Sequence, residues 1–252
     1  MADIQPEIRI VADAAMLAEI AAEEFIDAAR GAVAARGRFT VALSGGSTPK
    51  RLYERLASAH SSGLAATWPQ THIFWGDERL VPPDHPDSNY RMACEVLLNR
   101  IDLPADQIHS IPTGIDDVTE AASKYELDLR AFFSPAARQA PCFDLILLGL
   151  GGDGHTASLF PGSDAVREGT RWVVGHRLEG IPHDRITLTF PVLNNAARVV
   201  FLVSGSDKAG ALQSVLEGDA PIDRVPARGL RPVRGGLLWL IDRDAARQLQ
   251  RL

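Results

Sequence analysis

A histidine lies in a glycine-rich stretch, Gly149-Leu150-Gly151-Gly152-Asp153-Gly154-His155-Thr156-Ala157-Ser158. Histidine is the side chain whose ordinary pKa lets it take up and return a proton near neutrality. The flanking glycines let backbone approach a ligand closely. His155 is therefore a candidate general base and acid, with Asp153 two residues before it. The pair could also begin a metal site, but no third ligand follows at a recognisable spacing, so no metal is expected. The stretch also spells G-x-G-x-x-G. Pro161 and Gly162 leave too short a helix after it for a dinucleotide fingerprint, so no nucleotide cofactor is expected.

Three further segments offer anion-binding chemistry. Ser44-Gly45-Gly46-Ser47-Thr48-Pro49 combines two glycines and several hydroxyls with a proline suited to a first helical turn. Such a turn can hold a phosphate on backbone N–H groups and a helix N-terminus. It is not a Walker A loop, because no G-K-[ST] follows at the required spacing. In Gly76-Asp77-Glu78-Arg79, Arg79 is a candidate bidentate phosphate clamp. Asp77 would orient a hydroxyl or water there, or hold a neighbouring cation. In Ser204-Gly205-Ser206-Asp207-Lys208, a cation in the first turn of a helix opposes the helix dipole, a cost that makes sense if Lys208 faces an anion.

The elements that must position these residues follow from periodicity. Apolar steps of three and four predict a helix over 13–36, closed by Gly37. Strands are predicted at Phe39–Leu43, Ile73–Trp75, Phe143–Leu148, Trp172–Val174, Ile186–Phe190, Val199–Val203 and Leu237–Ile241. Helical patterns follow Pro49 through Leu52, Tyr53 and Leu56, follow a Ser88 N-cap through Met92, Val96 and Leu97, and cover 118–134, 207–217 and 242–251. Alternating strands and helices imply an α/β fold, doubly wound and Rossmann-like, with a mostly parallel sheet and helices on both faces. The Pro/Asp-rich stretch 82–88 reads as a loop rather than a boundary, so residues 1–252 are expected to form a single domain. In such a sheet ligands bind beyond the C-terminal strand ends, where all four segments fall.

Composition narrows the partners. The 252 residues are 46% hydrophobic and 23% charged, an ordinary balance for a globular chain. The net charge of −6 offers no global basic field for nucleic acid or an anionic membrane. Only Lys50, Lys124 and Lys208 are lysines among 26 basic residues. Cys94 and Cys142 are too few for a disulfide framework and are expected to be buried free thiols. The segment Met1–Ile10 carries Asp3 and Glu7 and lacks the basic-then-apolar pattern of a signal peptide. No stretch approaches the ~20 apolar residues of a membrane span. The expected location is the cytoplasm.

Taken together, the four segments and a fifth, Gly235-Gly236-Leu237-Leu238-Trp239-Leu240-Ile241-Asp242, resemble the 6-phosphogluconolactonase family. The matches run in order from about residue 38 to 242. The glucosamine-6-phosphate deaminase/isomerases share the fold, but their histidine is followed by a segment resembling H-I-A-F-N-E-P. This chain reads His155-Thr156-Ala157-Ser158-Leu159-Phe160-Pro161-Gly162, with no acid at that place. The segment 224–234, which holds Arg224 and Arg234, is too loosely matched for roles.

The resemblance implies hydrolysis of 6-phospho-D-glucono-1,5-lactone to 6-phospho-D-gluconate, in the oxidative pentose phosphate pathway, without metal or nucleotide. His155 would take a proton from the attacking water and return it to the departing ring oxygen. Glycine-turn amides would stabilise the oxyanion. The phosphate would sit among Ser44, Gly45, Gly46, Ser47, Arg79 and Lys208. Asp153 and Asp77 are both candidates for orienting the imidazole. The expected partner is thus a small phosphorylated sugar lactone. The alternatives are a deaminase/isomerase-like enzyme, a non-catalytic sugar-phosphate effector domain and, weakest, a dinucleotide-dependent dehydrogenase. The effector reading lacks room for a helix-turn-helix before the first predicted strand.

Overall fold

Asp13 opens the first long helix, its Oδ1 accepting from the amides of Ala15 and Met16, both at 2.9 Å. Gly37 closes it in the left-handed region at φ 72°, donating its N–H to the carbonyl of Val33. Between these caps Leu17, Ala21, Phe25, Ala29 and Ala32 form the buried stripe that the sequence periodicity marks. The computed structural model describes residues 5–58, 67–133 and 139–250. The helices expected over 118–134 and 242–251 each run one residue beyond those limits.

In chain order the first half comprises β1 (Glu7–Val11), α1 (Ala14–Arg36), β2 (Phe39–Leu43), α2 (Ser47–Ala57), β3 (Thr71–Trp75), β4 (Asp77–Arg79), α3 (Asn89–Val96), β5 (Ile108–His109) and α4 (Val118–Phe133). The second comprises β6 (Leu145–Leu148), α5 (Asp164–Arg167), β7 (Val173–His176), β8 (Arg185–Leu188), α6 (Phe190–Leu193), β9 (Arg198–Val203), α7 (Ala209–Leu216), β10 (Gly236–Asp242) and α8 (Arg243–Ala246). Seven strands form a parallel sheet in the order β1-β10-β9-β6-β2-β3-β5. β2 and β6 are buried along their whole length, as central strands covered on both faces must be. One cluster of buried apolar residues runs from Val11 to Ala245.

From β2 the chain winds outward through β3 and β5, then returns to β6 on the other side of β2 and winds away through β9 and β10. The strand order therefore reverses between β2 and β6. At such a switch the loops leaving two adjacent strand ends diverge and open a crevice. The glycine turns at 44–47 and 149–155 leave these two strands.

Several elements differ from the sequence expectation. The strands expected near 172–174 and 186–190 exist, but as a β7–β8 hairpin outside the parallel sheet. They join β4 in a three-stranded antiparallel sheet, with Asp77 opposite Thr187, Glu78 opposite Ile186 and Arg79 opposite Arg185. The charged turn after β3 is thus itself a strand, too short and polar to show periodicity. The helix expected from 207 is preceded by a 3₁₀ turn, Ser206–Lys208, and the last helix stops at Ala246. Strands β1 and β5 were not anticipated. Cys94 is half-buried and Cys142 exposed, so the expectation of two buried thiols fails, because Cys142 precedes the core strand rather than lying in it. Among the described residues no helix is long and apolar enough to cross a membrane.

Candidate functional site

Ser44, Gly45, Gly46, Asp77, Arg79, His155 and Lys208 all line one cavity of about 410 Å³ above the β2/β6 switch. Ser47 lines a smaller recess beside it, which shares Gly45, Gly46 and Lys208. Asp153 is not a cavity wall. It stands behind His155, with Asp153 Oδ1 at 2.5 Å from His155 Nδ1 and accepting the backbone N–H of His155 at 3.1 Å. Of the two carboxylates that could orient the ring, the one in contact is Asp153.

Nδ1–H donating to a carboxylate leaves Nε2 as the acceptor nitrogen of the neutral ring. Burial pushes the Asp153 carboxyl up, but its hydrogen bonds from the His155 ring and backbone outweigh this and hold it below the ordinary carboxylate range. The turn is built to keep this pair. Gly151 donates to the carbonyl of His155 and Gly154 to that of Gly151. A Cβ on Gly151 would fall 2.1 Å from His155 Nδ1 and 2.7 Å from Asp153 Oδ1, so only glycine fits. Phe160 covers the ring at 4.2 Å between centroids. The next helix is the four-residue α5, so the long helix of a dinucleotide fingerprint does not follow.

Asp77 acts elsewhere in the wall. Its Oδ2 accepts from Ser158 Oγ at 2.7 Å, and the Ser158 carbonyl accepts from His176 Nε2 at 2.9 Å. Burial holds His176 below the ordinary histidine value, against the pull of that hydrogen bond. Glu78 turns away from the cavity and seats the start of α3. Its two oxygens accept the amides of Arg79, Asn89 and Tyr90 and the hydroxyl of Ser88, at 2.8 to 3.1 Å. Burial nonetheless outweighs these bonds and pushes its carboxyl up. Asn89, so placed, donates to the Asp77 carbonyl and packs against Gly45, where a Cβ would lie 1.9 Å from its Oδ1.

The positive lining contains a residue that sequence reasoning missed. Arg185 is 8% exposed and reaches the cavity from β8, directly opposite Arg79. Among the described residues neither guanidinium forms an ion pair. Arg79 Nη1 donates to the Asp87 carbonyl at 2.5 Å and Arg185 Nη1 to the His183 carbonyl at 3.4 Å. Burial first, then the charge of Arg79, holds Arg185 below the ordinary arginine value. An arginine inside a buried strand was the only signal in the sequence, and it does not reveal which sheet the strand joins.

The remaining walls are held from below. Asp242, in the fifth sequence segment, accepts from Ser204 Oγ at 2.5 Å and from the Gly205 amide, fixing the turn that carries Lys208. Lys208 Nζ itself lies 3.1 Å from the exposed Asp207 carboxylate. Tyr53 OH donates to the Ser44 carbonyl and accepts the Ser44 amide, and Tyr125 OH does the same at Trp75. Ser44 Oγ is buried and, among the described residues, has no hydrogen-bond partner. A buried hydroxyl left so is expensive unless a ligand supplies its bond.

The chain matches the family model described as glucosamine-6-phosphate isomerases/6-phosphogluconolactonase over residues 12–239. A 6-phosphogluconolactonase of Synechocystis is 47% identical over 219 residues, 87% of this chain and 88% of that protein. A 6-phosphogluconolactonase of Mycobacterium tuberculosis is 40% identical over 247 residues, 96% of this chain and 98% of that protein. Among solved structures, the 6-phosphogluconolactonase from Trypanosoma cruzi superposes with a TM-score of 0.86 at 31% identity, covering 99% of this chain and 98% of that one. With the strand order, the glycine turns and the paired guanidiniums in place, the chain belongs to the glucosamine-6-phosphate isomerase/6-phosphogluconolactonase family, and within it to the 6-phosphogluconolactonases, which are hydrolases.

Proposed function

We propose that the chain hydrolyses 6-phospho-D-glucono-1,5-lactone to 6-phospho-D-gluconate, in the oxidative branch of the pentose phosphate pathway and in the cytoplasm, with His155 as general base and acid. The observation that carries this reading is that His155, backed by Asp153, opens onto the same cavity as the unpaired Arg79 and Arg185. A phosphate dianion on the two guanidiniums satisfies both fixed charges. It also leaves the lactone ring between them and the imidazole.

In this mechanism His155 Nε2 takes a proton from a water as the water oxygen attacks the lactone carbonyl. The Asp153 carboxylate stabilises the imidazolium so formed. The proton then passes to the ring oxygen as the carbon–oxygen bond breaks, giving the open hydroxy acid, which loses its remaining carboxyl proton to solvent to become the carboxylate. Such acid–base work supplies typically about 10²–10⁴-fold. Gly151 and Gly154 have their amides committed inside the turn, so the cavity-lining Gly152 is assigned as an oxyanion donor. Ser44 Oγ, with no bond of its own among the described residues, and Lys208 complete the phosphate end. The steps use neither metal nor nucleotide.

The test is a coupled assay with freshly made phosphogluconolactone, corrected for spontaneous hydrolysis. Turnover well above the uncatalysed rate is expected. Release of ammonia from glucosamine 6-phosphate, without lactonase turnover, would instead place the chain with the deaminases.

A further inference from the structure

We propose that His85, Asp87 and His183 form a binding site for one divalent transition-metal ion, beside the carbonyls that hold Arg79 and Arg185. His183 Nε2 lies 3.0 Å from Asp87 Oδ2, His85 Nδ1 lies 3.9 Å from the same oxygen, and one ligand atom from each residue falls within 4.8 Å of the others. The two imidazole rings are 5.2 Å apart and nearly perpendicular, so both can turn a nitrogen toward a common point. With metal bonds of about 2.0–2.1 Å, tetrahedral ligands stand about 3.3 Å apart. The present separations bracket that value, and all three side chains are solvent-accessible enough to rotate the remaining distance. In doing so His85 Nδ1 gives up the bond it accepts from the Asp87 amide.

The donor set selects the ion. Two imidazoles and one carboxylate suit zinc, cobalt or nickel, whereas calcium and magnesium prefer all-oxygen shells. Three protein ligands leave a fourth position for water.

The site joins two segments with no covalent tie near it: the 82–88 loop carries His85 and Asp87, and the β7–β8 hairpin loop carries His183. His183 takes a left-handed backbone at φ 64°, a conformation histidine adopts more readily than most residues. Each of two ligand residues also holds one cavity guanidinium through its carbonyl, Asp87 that of Arg79 and His183 that of Arg185. A bound ion would therefore fix the two carbonyls that seat the arginine pair, whatever anion that pair receives.

Zinc titration of the whole chain, followed by calorimetry and by competition with a chromogenic chelator, tests the site. One zinc per chain is expected, weakened at least ten-fold in each of His85→Gln, Asp87→Asn and His183→Gln. Binding should be unchanged in His109→Gln and Cys142→Ser, and not displaced by magnesium. Zinc binding that survives the combined triple substitution, or no saturable binding at all, overturns the proposal. Far-UV circular dichroism without metal checks each fold. His85→Gln and His183→Gln keep the test decisive if Asp87→Asn unfolds.

Discussion

Arg79 and Arg185 face each other in register on the antiparallel β4–β8 pair, two cations with no ion pair among the described residues, at the wall of one cavity. Like charges placed directly across strands are destabilising. Under the proposed function, the arrangement is explained by the phosphate it receives rather than by what it contributes to the fold.

Replacing Arg185 by Met should separate these two effects. The free protein is expected to gain up to about 1 kcal/mol from relief of cross-strand repulsion. Binding of 6-phosphogluconate should weaken by about 1.5–3 kcal/mol, roughly 10- to 150-fold, through loss of a charged hydrogen bond. Urea denaturation and calorimetric titration read the two quantities. Unchanged affinity would move the phosphate away from this pair.

The His155–Asp153 contact predicts a split between chemistry and binding. His155→Asn should lower kcat by about 10²–10⁴-fold and leave 6-phosphogluconate affinity within a few-fold. Asp153→Asn should lower kcat by about 10²–10⁴-fold, because an amide no longer stabilises the imidazolium or selects the tautomer. Steady-state kinetics with a parallel ligand titration decides, and wild-type turnover in His155→Asn would remove the residue from the mechanism.

Gly151→Ala tests the geometry without touching a titratable group. The new Cβ would lie 2.1 Å from His155 Nδ1, so the ring must move. A loss of kcat of about 10²-fold is expected, since a displacement near 1 Å has that order of effect. A crystal structure of the variant with an unmoved imidazole would contradict this account.

Glu78→Gln should destabilise the fold by about 1–3 kcal/mol, because the new amide nitrogen cannot accept the donors now shared between two carboxylate oxygens. Equilibrium denaturation at neutral pH measures it. The 6-phosphogluconate affinity should fall as well, since Asn89 loses its seat beside Gly45.

His176 gives stability a defined pH dependence. Its folded pKa is lowered by burial, so the unfolded chain binds the proton more tightly. The contribution is fully present above the ordinary histidine value of about 6.5 and is lost as pH falls below it, toward and through the depressed value. His72, also lowered by burial first, adds a contribution of the same sign. Denaturation at pH 7.5 and 5.5 should show a smaller drop in His176→Gln than in the parent, and an equal drop would assign the slope elsewhere.

The parts of this molecule legible in its sequence are those governed by local rules. Asp13 and Gly37 bound α1, Ser88 caps α3, and the five residues of β2 stand where their apolar run puts them. The glycine turns and His155 were readable because backbone freedom beside a titratable side chain has few other uses. Arg185 was not, since its position depends on a hairpin leaving the main sheet to pair with three charged residues. Choosing between Asp77 and Asp153 likewise needed coordinates: both lie near the switch, and only the path of the 149–155 turn decides which carboxylate meets the ring.

Tyr53 and Tyr125 each clasp the amide and carbonyl of a residue at or just beyond the end of a central strand, Ser44 after β2 and Trp75 in β3. At those points each phenol stands in for a neighbouring strand, a hydroxyl borrowed from a helix to finish a ladder. The backbone at these two strand ends is thereby satisfied from below, without a bond from the loops above. A scaffold finished in this way has a floor independent of the chemistry above it, which fits a family that spans both isomerases and lactonases.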